Sequence, residues 1–243
     1  MAIKMVMFDL DGTLLPMDMD EFTSGYFGLL AAKAAPYGYE LQSVVKAIWH
    51  GVAAMVKNDG SCRNEEAFWK DFASIYGEQA LKDKPVFDEF YANEFNEAKK
   101  FCGYDPKAAK TVHWIKDKGL RIALATNPLF PSIATETRIS WTGLRPDDFE
   151  FYTTYENIGW CKPNLDYYRE VLRWADLKGE ECLMVGNDVG EDMIAAELGM
   201  KVFLLTDCLI NKAGADIDQY PHGGFDELKE YVSGVVLGWR GRV

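Results

Sequence analysis

The sequence predicts an α/β fold: a parallel sheet with helices on both faces, joined to a separate helical bundle. Three observations carry this. Short apolar runs recur with helix-patterned segments between them, the rhythm of strands joined by crossover helices. Polar, chemistry-bearing residues follow several of those runs directly. A long stretch near the N-terminus carries only helical periodicity and no strand pattern.

Residues 3–8 (IKMVMF) read as a buried strand, followed at once by Asp9-Leu10-Asp11-Gly12-Thr13. Residues 16–104 then read as a bundle of about four or five helices. Leu41, Val44, Val45, Ile48, Trp49, Val52 and Val56 repeat at helical spacing, as do Phe68, Trp69, Phe72, Ile75 and Tyr76. A further helix is marked by Phe87, Phe90, Tyr91, Glu94 and Phe95. Breaks fall near Tyr37-Gly38, Asp59-Gly60-Ser61 and Lys84-Pro85. The aromatic stripe of Trp49, Phe68, Trp69, Phe72 and Tyr76 is expected to be bundle core.

The sheet resumes afterwards. A Lys-rich helix over 107–118 stops at Gly119 and gives way to a strand, Arg121–Ala125, which ends at Thr126-Asn127. Strands are expected at 149–152, 182–185 and 201–205, with helices over 165–175 and 192–198. Residues 234–243 are weakly patterned and are expected to fray. The organisation that follows is a core of residues 1–15 and 105–243, with 16–104 as an inserted unit.

Composition narrows the partners. The net charge of −12 disfavours nucleic acid, because phosphate-backbone binding needs a basic surface. No apolar run approaches a membrane span of about 20 residues, and the N-terminus has no signal-peptide pattern, so a cytoplasmic address with no membrane association is expected. The five scattered cysteines read as reduced thiols, and the three histidines, His50, His113 and His222, form no metal spacing.

Asp9 and Asp11 pose the chemical question. Two carboxylates at the end of a buried strand are costly unless something compensates them, and a bound cation is the simplest compensation. An Asp-Gly turn is the plainer reading of the pair alone. Three more polar groups lie near later strand ends, where ligands gather in open α/β sheets: Thr126-Asn127, Lys162 in GWCKPN, and VGNDVGED at 185–192.

These four motifs, in this order and around a helical insert, resemble those of the haloacid dehalogenase-like (HAD) phosphohydrolases. The resemblance covers nearly the whole chain and implies a Rossmann-like core, with residues 16–104 as a helical cap domain. Asp9 would be the nucleophile that forms an aspartyl-phosphate. Asp11 would be the acid and base. Thr126 and Lys162 would bind the phosphoryl oxygens, with Gly12 and Asn127 lining the substrate site. Mg²⁺ would be held by Asp9, by the backbone carbonyl of Asp11, and by a group from the fourth motif. That motif usually has Asp directly after its Gly. Here the position is Asn187, followed by Asp188 and Asp192, so all three remain candidates, with Asp188 favoured as the carboxylate nearest the metal and Asp192 behind it.

The implied activity is Mg²⁺-dependent hydrolysis of a small phosphorylated metabolite. A phosphomutase, or a non-catalytic binding protein on the same scaffold, are the alternatives. Dehalogenase and phosphonatase activities are disfavoured, because an acid at position 11 suits a phosphate-ester leaving group. Lys33 and Arg63 are candidates to meet an anionic substrate tail.

Overall fold

The computed structural model describes residues 2–237; the expected fraying at 238–243 lies outside the described residues. Residues 234–237 complete a helix.

Five parallel strands form one sheet in the order β2-β1-β3-β4-β5. These are β1 (Met5–Phe8), β2 (Arg121–Leu124), β3 (Cys182–Gly186), β4 (Lys201–Leu205) and β5 (His222–Gly223). β1 is an inner strand and pairs on both sides, Phe8 lying opposite Leu124 and Val185. Alternate residues face opposite layers, as the pleat requires. Val6, Phe8, Ile122, Leu124, Leu183 and Val185 point to one hydrophobic cluster. Met5, Met7, Ala123, Cys182 and Met184 point to the other.

Four helices belong to these layers. α6 (Pro106–Asp117), α7 (Ser132–Trp141) and α9 (Phe225–Leu237) pack into the first cluster, and α8 (Leu165–Ala175) into the second. Each start has a local cause. Asp105 caps α6 by accepting from Lys107 N, with Pro106 in the first turn, and Asn164 caps α8 by accepting from Asp166 N.

Between β1 and α6 lie α1 (Met19–Ala34), α2 (Leu41–Val56), α3 (Asn64–Tyr76), the short α4 (Gln79–Lys82) and α5 (Lys84–Ala92), then a 3-10 segment over Glu94–Phe101. Asp18 caps α1, and Pro85 falls in the first turn of α5. The chain leaves and re-enters the core side by side, with Met17 bridging Cys102 and Gly103 N donating to Pro16 O (2.7 Å). Inserted helices and core share one cluster: Phe22, Tyr26 and Phe95 pack beside Phe130, and Phe95 stacks on Trp141.

Four expectations change. Residues 149–152 lie beside β2, with Glu150 N donating to Ile122 O and Leu124 N to Phe151 O, but they form only an isolated bridge. Phe149 is already tied into the preceding 3-10 turn, and the chain turns away after Thr153, so no strand extends. The fifth strand is the short β5 instead. The segment expected as a helix over 192–198 is a 3-10 turn, Met193–Leu198. α7 and α9 are further helices. Finally, Trp49 is half exposed, while Trp69 and Phe72 are buried as bundle core.

Candidate active site

Asp9 sits one residue beyond β1. Its backbone N–H donates to Val185 O, so Asp9 is pinned to the neighbouring strand. The chain then coils tightly: Thr13, Leu14 and Leu15 all donate to Leu10 O, and Gly12 N donates to Leu15 O. Gly12 has φ +78, and a Cβ there would meet Asn187 Nδ2 at 2.3 Å, so both conformation and space require glycine. This coil brings Thr13 Oγ1 within 2.8 Å of Asn187 Oδ1 and within 3.3 Å of Asp9 Oδ2.

Lys162 is fully buried and joins two carboxylates, Asp9 Oδ1 at 2.9 Å and Asp192 Oδ1 at 2.6 Å. Burial alone would push its ammonium down. Asp192 and Asp9 reverse this and hold Lys162 charged, well above the usual lysine range. Asp192 Oδ2 accepts from Asp188 N at 3.0 Å, so both of its oxygens are engaged inside the protein. Asp192 therefore positions Lys162 and the 186–192 loop.

Asn187 is fastened at both ends. Its Oδ1 accepts from Thr13, and its Nδ2 donates to Cys208 O at 2.7 Å. Asp188 uses Oδ1 to cap the N–H groups of Gly190 and Glu191, and it lines the cleft. Thr126 is buried, and its backbone carbonyl accepts from Thr153 Oγ1 and Tyr167 OH, which fixes the end of β2. Asn127 Nδ2 donates to Glu191 Oε2 at 2.9 Å, while its Oδ1 is buried without a partner.

Asp11 reaches a residue that the sequence motifs do not announce. Its Oδ2 pairs with Arg138 of α7, which is fully buried, and its Oδ1 is buried without a partner. Arg138 also donates to Ala134 O and Thr135 Oγ1 and lies 4.1 Å over the Phe130 ring. Burial pushes the Asp11 carboxyl above its usual range. Arg138 pulls it back, and the neighbouring Asp9 charge adds to the rise. Glu191 was likewise not foreseen; burial pushes it up to about 7, against the pull of Lys162. An arginine on the buried face of α7, beside Ala134 and Ile139, is the one sequence signal that points to Arg138.

Asp9, Asp11, Thr126, Asn127, Asn187, Asp188 and Asp192 thus line one cleft of about 980 Å³, with Lys162 behind Asp9 and Asp192. Lys33 and Arg63 are not part of it. Lys33 is held by Glu94 and Glu89, and Arg63 donates to Asn157 O. Among the described residues no three His, Cys, Asp or Glu side chains converge as a ready metal cage. A hard cation such as Mg²⁺ does not need one, since it takes one or two carboxylates and keeps several waters. The side-chain oxygens of Asp9, Asn187 and Asp188, which line the cleft, form a donor set of the right chemistry.

Comparison with known proteins follows this geometry. A glyceraldehyde 3-phosphate phosphatase from Methanothermobacter thermautotrophicus is 29% identical over 122 residues, which span 50% of this chain and 51% of that protein. The chain thus matches about half the length of that curated relative. A 2-haloacid dehalogenase from Pseudomonas syringae pv. tomato DC3000 superposes with a TM-score of 0.65 at 21% identity, covering 98% of this chain and 99% of that one. A putative HAD-hydrolase from Bacillus subtilis bound to magnesium gives 0.56 at 16% identity, covering 96% and 99%. At such identities the two solved structures show a shared fold. The family model for haloacid dehalogenase-like hydrolases matches residues 3–199. The chain belongs to the haloacid dehalogenase-like hydrolase family.

Proposed function

We propose that the protein is a Mg²⁺-dependent phosphatase that cleaves a small phosphate monoester through an aspartyl-phosphate on Asp9. The observation that carries this is the convergence of Asp9, Asp11, Thr126 and Asp188 from separate strand ends on one cleft, with Lys162, from the loop before α8, buried against Asp9. The phosphatase name of the archaeal relative supports the same reading.

The chemistry divides into two displacements. A carboxylate oxygen of Asp9 attacks phosphorus as the bond to the leaving alcohol breaks. Asp11 gives that departing oxygen a proton. Arg138 occupies Asp11 Oδ2, which leaves Oδ1 as the atom that carries the proton, and burial favours its protonated form. Asp11 then takes a proton from a water, whose oxygen attacks phosphorus and frees Asp9 and inorganic phosphate. Throughout, Lys162 holds Asp9 in place and offers its charge to the phosphoryl oxygens, while Thr126 offers a hydroxyl. Mg²⁺, held by Asp9, the Asp11 carbonyl and Asp188 or Asn187, supplies the remaining positive charge that phosphoryl transfer needs. Residues 16–104 act as a cap over the cleft, and α1 and α2 contribute Asp18, Thr23, Phe27 and Trp49 to its lining.

Asp9→Asn tests the reading, because the amide is nearly the same size and a far poorer nucleophile. The variant is expected to keep its circular dichroism spectrum and to lose turnover of a generic aryl phosphate in Mg²⁺. Retained turnover with an intact fold overturns the assignment.

A further inference from the structure

The cleft adjoins a second cavity. This hollow, of about 110 Å³, lies between the inserted helices α1, α2, α3 and α5 and the loop that follows β2. Met19, Thr23, Phe27, Trp49, Leu129 and Phe130 line both spaces, so the two adjoin across these side chains. One loop connects them in order. Thr126 and Asn127 face the cleft, Leu129 and Phe130 face both, and Pro131 faces the hollow alone. An ester bound with its phosphorus at Asp9 would therefore have its other half on the side of the cleft that adjoins the hollow.

The two spaces differ in character. The cleft carries Asp9, Asp11, Asp18, Asp20, Asp188, Glu191, Asp192 and Asp207, against Lys212 as the basic side chain along its described lining. The other nearby cations are committed, Lys162 to Asp9 and Asp192 and Arg138 to Asp11. A second anionic group on the substrate would meet net repulsion, since eight carboxylates of the described lining stand against Lys212. The hollow is lined by no acidic or basic side chain among the described residues. Its walls are aromatic and aliphatic, with Ile48, Val52, Phe68 and Phe87 behind the mouth. Trp49, half exposed and edge-on to Phe27 at 5.4 Å, stands at the junction instead of in the bundle core. An apolar hollow of this size is somewhat smaller than the roughly 150 Å³ that accepts benzene.

We propose that this hollow receives the leaving group of the phosphate ester, and that the leaving group is a short, uncharged, hydrocarbon-rich alcohol with no second anionic group. The assignment rests on the phosphatase reading and adds the substrate class to it. Selectivity then comes from removing apolar surface from water on one side of the reacting centre and from carboxylate repulsion on the other.

Initial rates of the full chain in Mg²⁺ test it with four phosphorylated compounds: the acyl phosphate acetyl phosphate and the esters 3-methylbutyl phosphate, glycerol 1-phosphate and phosphoglycolate. The expected order of kcat/KM places 3-methylbutyl phosphate about 10- to 100-fold above glycerol 1-phosphate, with phosphoglycolate lowest. Val52→Phe, which fills the hollow from α2, is expected to cut the preference for 3-methylbutyl phosphate over acetyl phosphate about 10-fold. A measurement on the unaltered protein stands beside this variant: 3-methylbutanol should inhibit acetyl phosphate hydrolysis competitively, and glycerol at equal concentration should not. Hydrolysis of acetyl phosphate with no preference for the branched alkyl ester, or with glycerol matching 3-methylbutanol as inhibitor, overturns the hollow's role and leaves the phosphatase reading standing. No Mg²⁺-dependent turnover of any of the four compounds overturns both.

Discussion

Arg138 shows how a single buried charge organises the candidate site. It is the largest fully buried side chain among the described residues, and its guanidinium is satisfied by Asp11, Thr135, Ala134 O and the face of Phe130. Breaking a buried pair from one side strands the other charge and costs about 3–5 kcal/mol. Arg138→Met is therefore expected to destabilise the protein by that order in urea unfolding. In the Asp11→Asn background the same substitution should cost clearly less, because no carboxylate is left stranded; equal costs in both backgrounds would mean that the pair is uncoupled. A second expectation concerns the fourth motif. Asn187 is fastened by Thr13 and by Cys208 O, whereas Asp188 brings a carboxylate to the cleft. A carboxylate holds a hard cation better than an amide, so Asp188→Ala should raise the Mg²⁺ concentration for half-maximal activity more than Asn187→Ala does. Metal titration of the two variants decides the order.

At the scale of elements, the inserted helices are held to the core at more than the two chain crossings. The loop between α2 and α3 docks on residues 155–161: Asn64 N donates to Ile158 O and Glu65 N to Tyr155 O. The Asn64 side chain is fully buried, donates toward Pro128 O, Trp160 O and Cys161 Sγ, and accepts from Asn58. Gly60 has φ +80 and lies against Trp160, where a Cβ would come within 2.3 Å of the indole. This contact reaches the segment just before Lys162, so insert docking and phosphate-site geometry share one piece of chain. Asn64→Ala leaves several core carbonyls short of a donor, at a cost of about 1–3 kcal/mol. The melting temperature should fall by roughly 2–4 °C for each kcal/mol in a chain of this length. An unchanged melting temperature would show that the loop rests on the core without holding to it.

For the molecule as a whole, insert and core are joined by one hydrophobic cluster that runs from Leu30 and Phe72 through Phe95 and Phe130 to Val6, Phe8 and Val112. Such continuity couples their unfolding. Calorimetry should show a single cooperative transition, with calorimetric and van't Hoff enthalpies in agreement. Two resolved transitions would show that the helices of residues 16–104 fold as a separate unit. The net charge of −12 acts at the same scale, since it repels anions at long range.

What the sequence determined by itself is whatever depends on local pattern. Apolar runs placed β1, β2, β3 and β4, and helical spacing with Gly119 and Pro85 as punctuation placed α5, α6 and α8. The order of strands and motifs was enough to gather Asp9, Asp11, Thr126 and Asp188, because parallel strands present their carboxyl ends on one side. The tertiary structure alone decided the rest. Residues 149–152 have the composition of a strand, yet pairing is a property of two chains, and the departure after Thr153 stops the ladder. Arg138 lies 127 positions from Asp11 in an amphipathic helix, where a buried arginine resembles a surface one until its partner is folded against it. Trp49 has the spacing of a core residue, but whether it is covered depends on what packs over α2, and there the cleft opens instead. Periodicity reports which face of a helix is apolar. Only the folded chain decides whether that face meets protein, solvent or substrate.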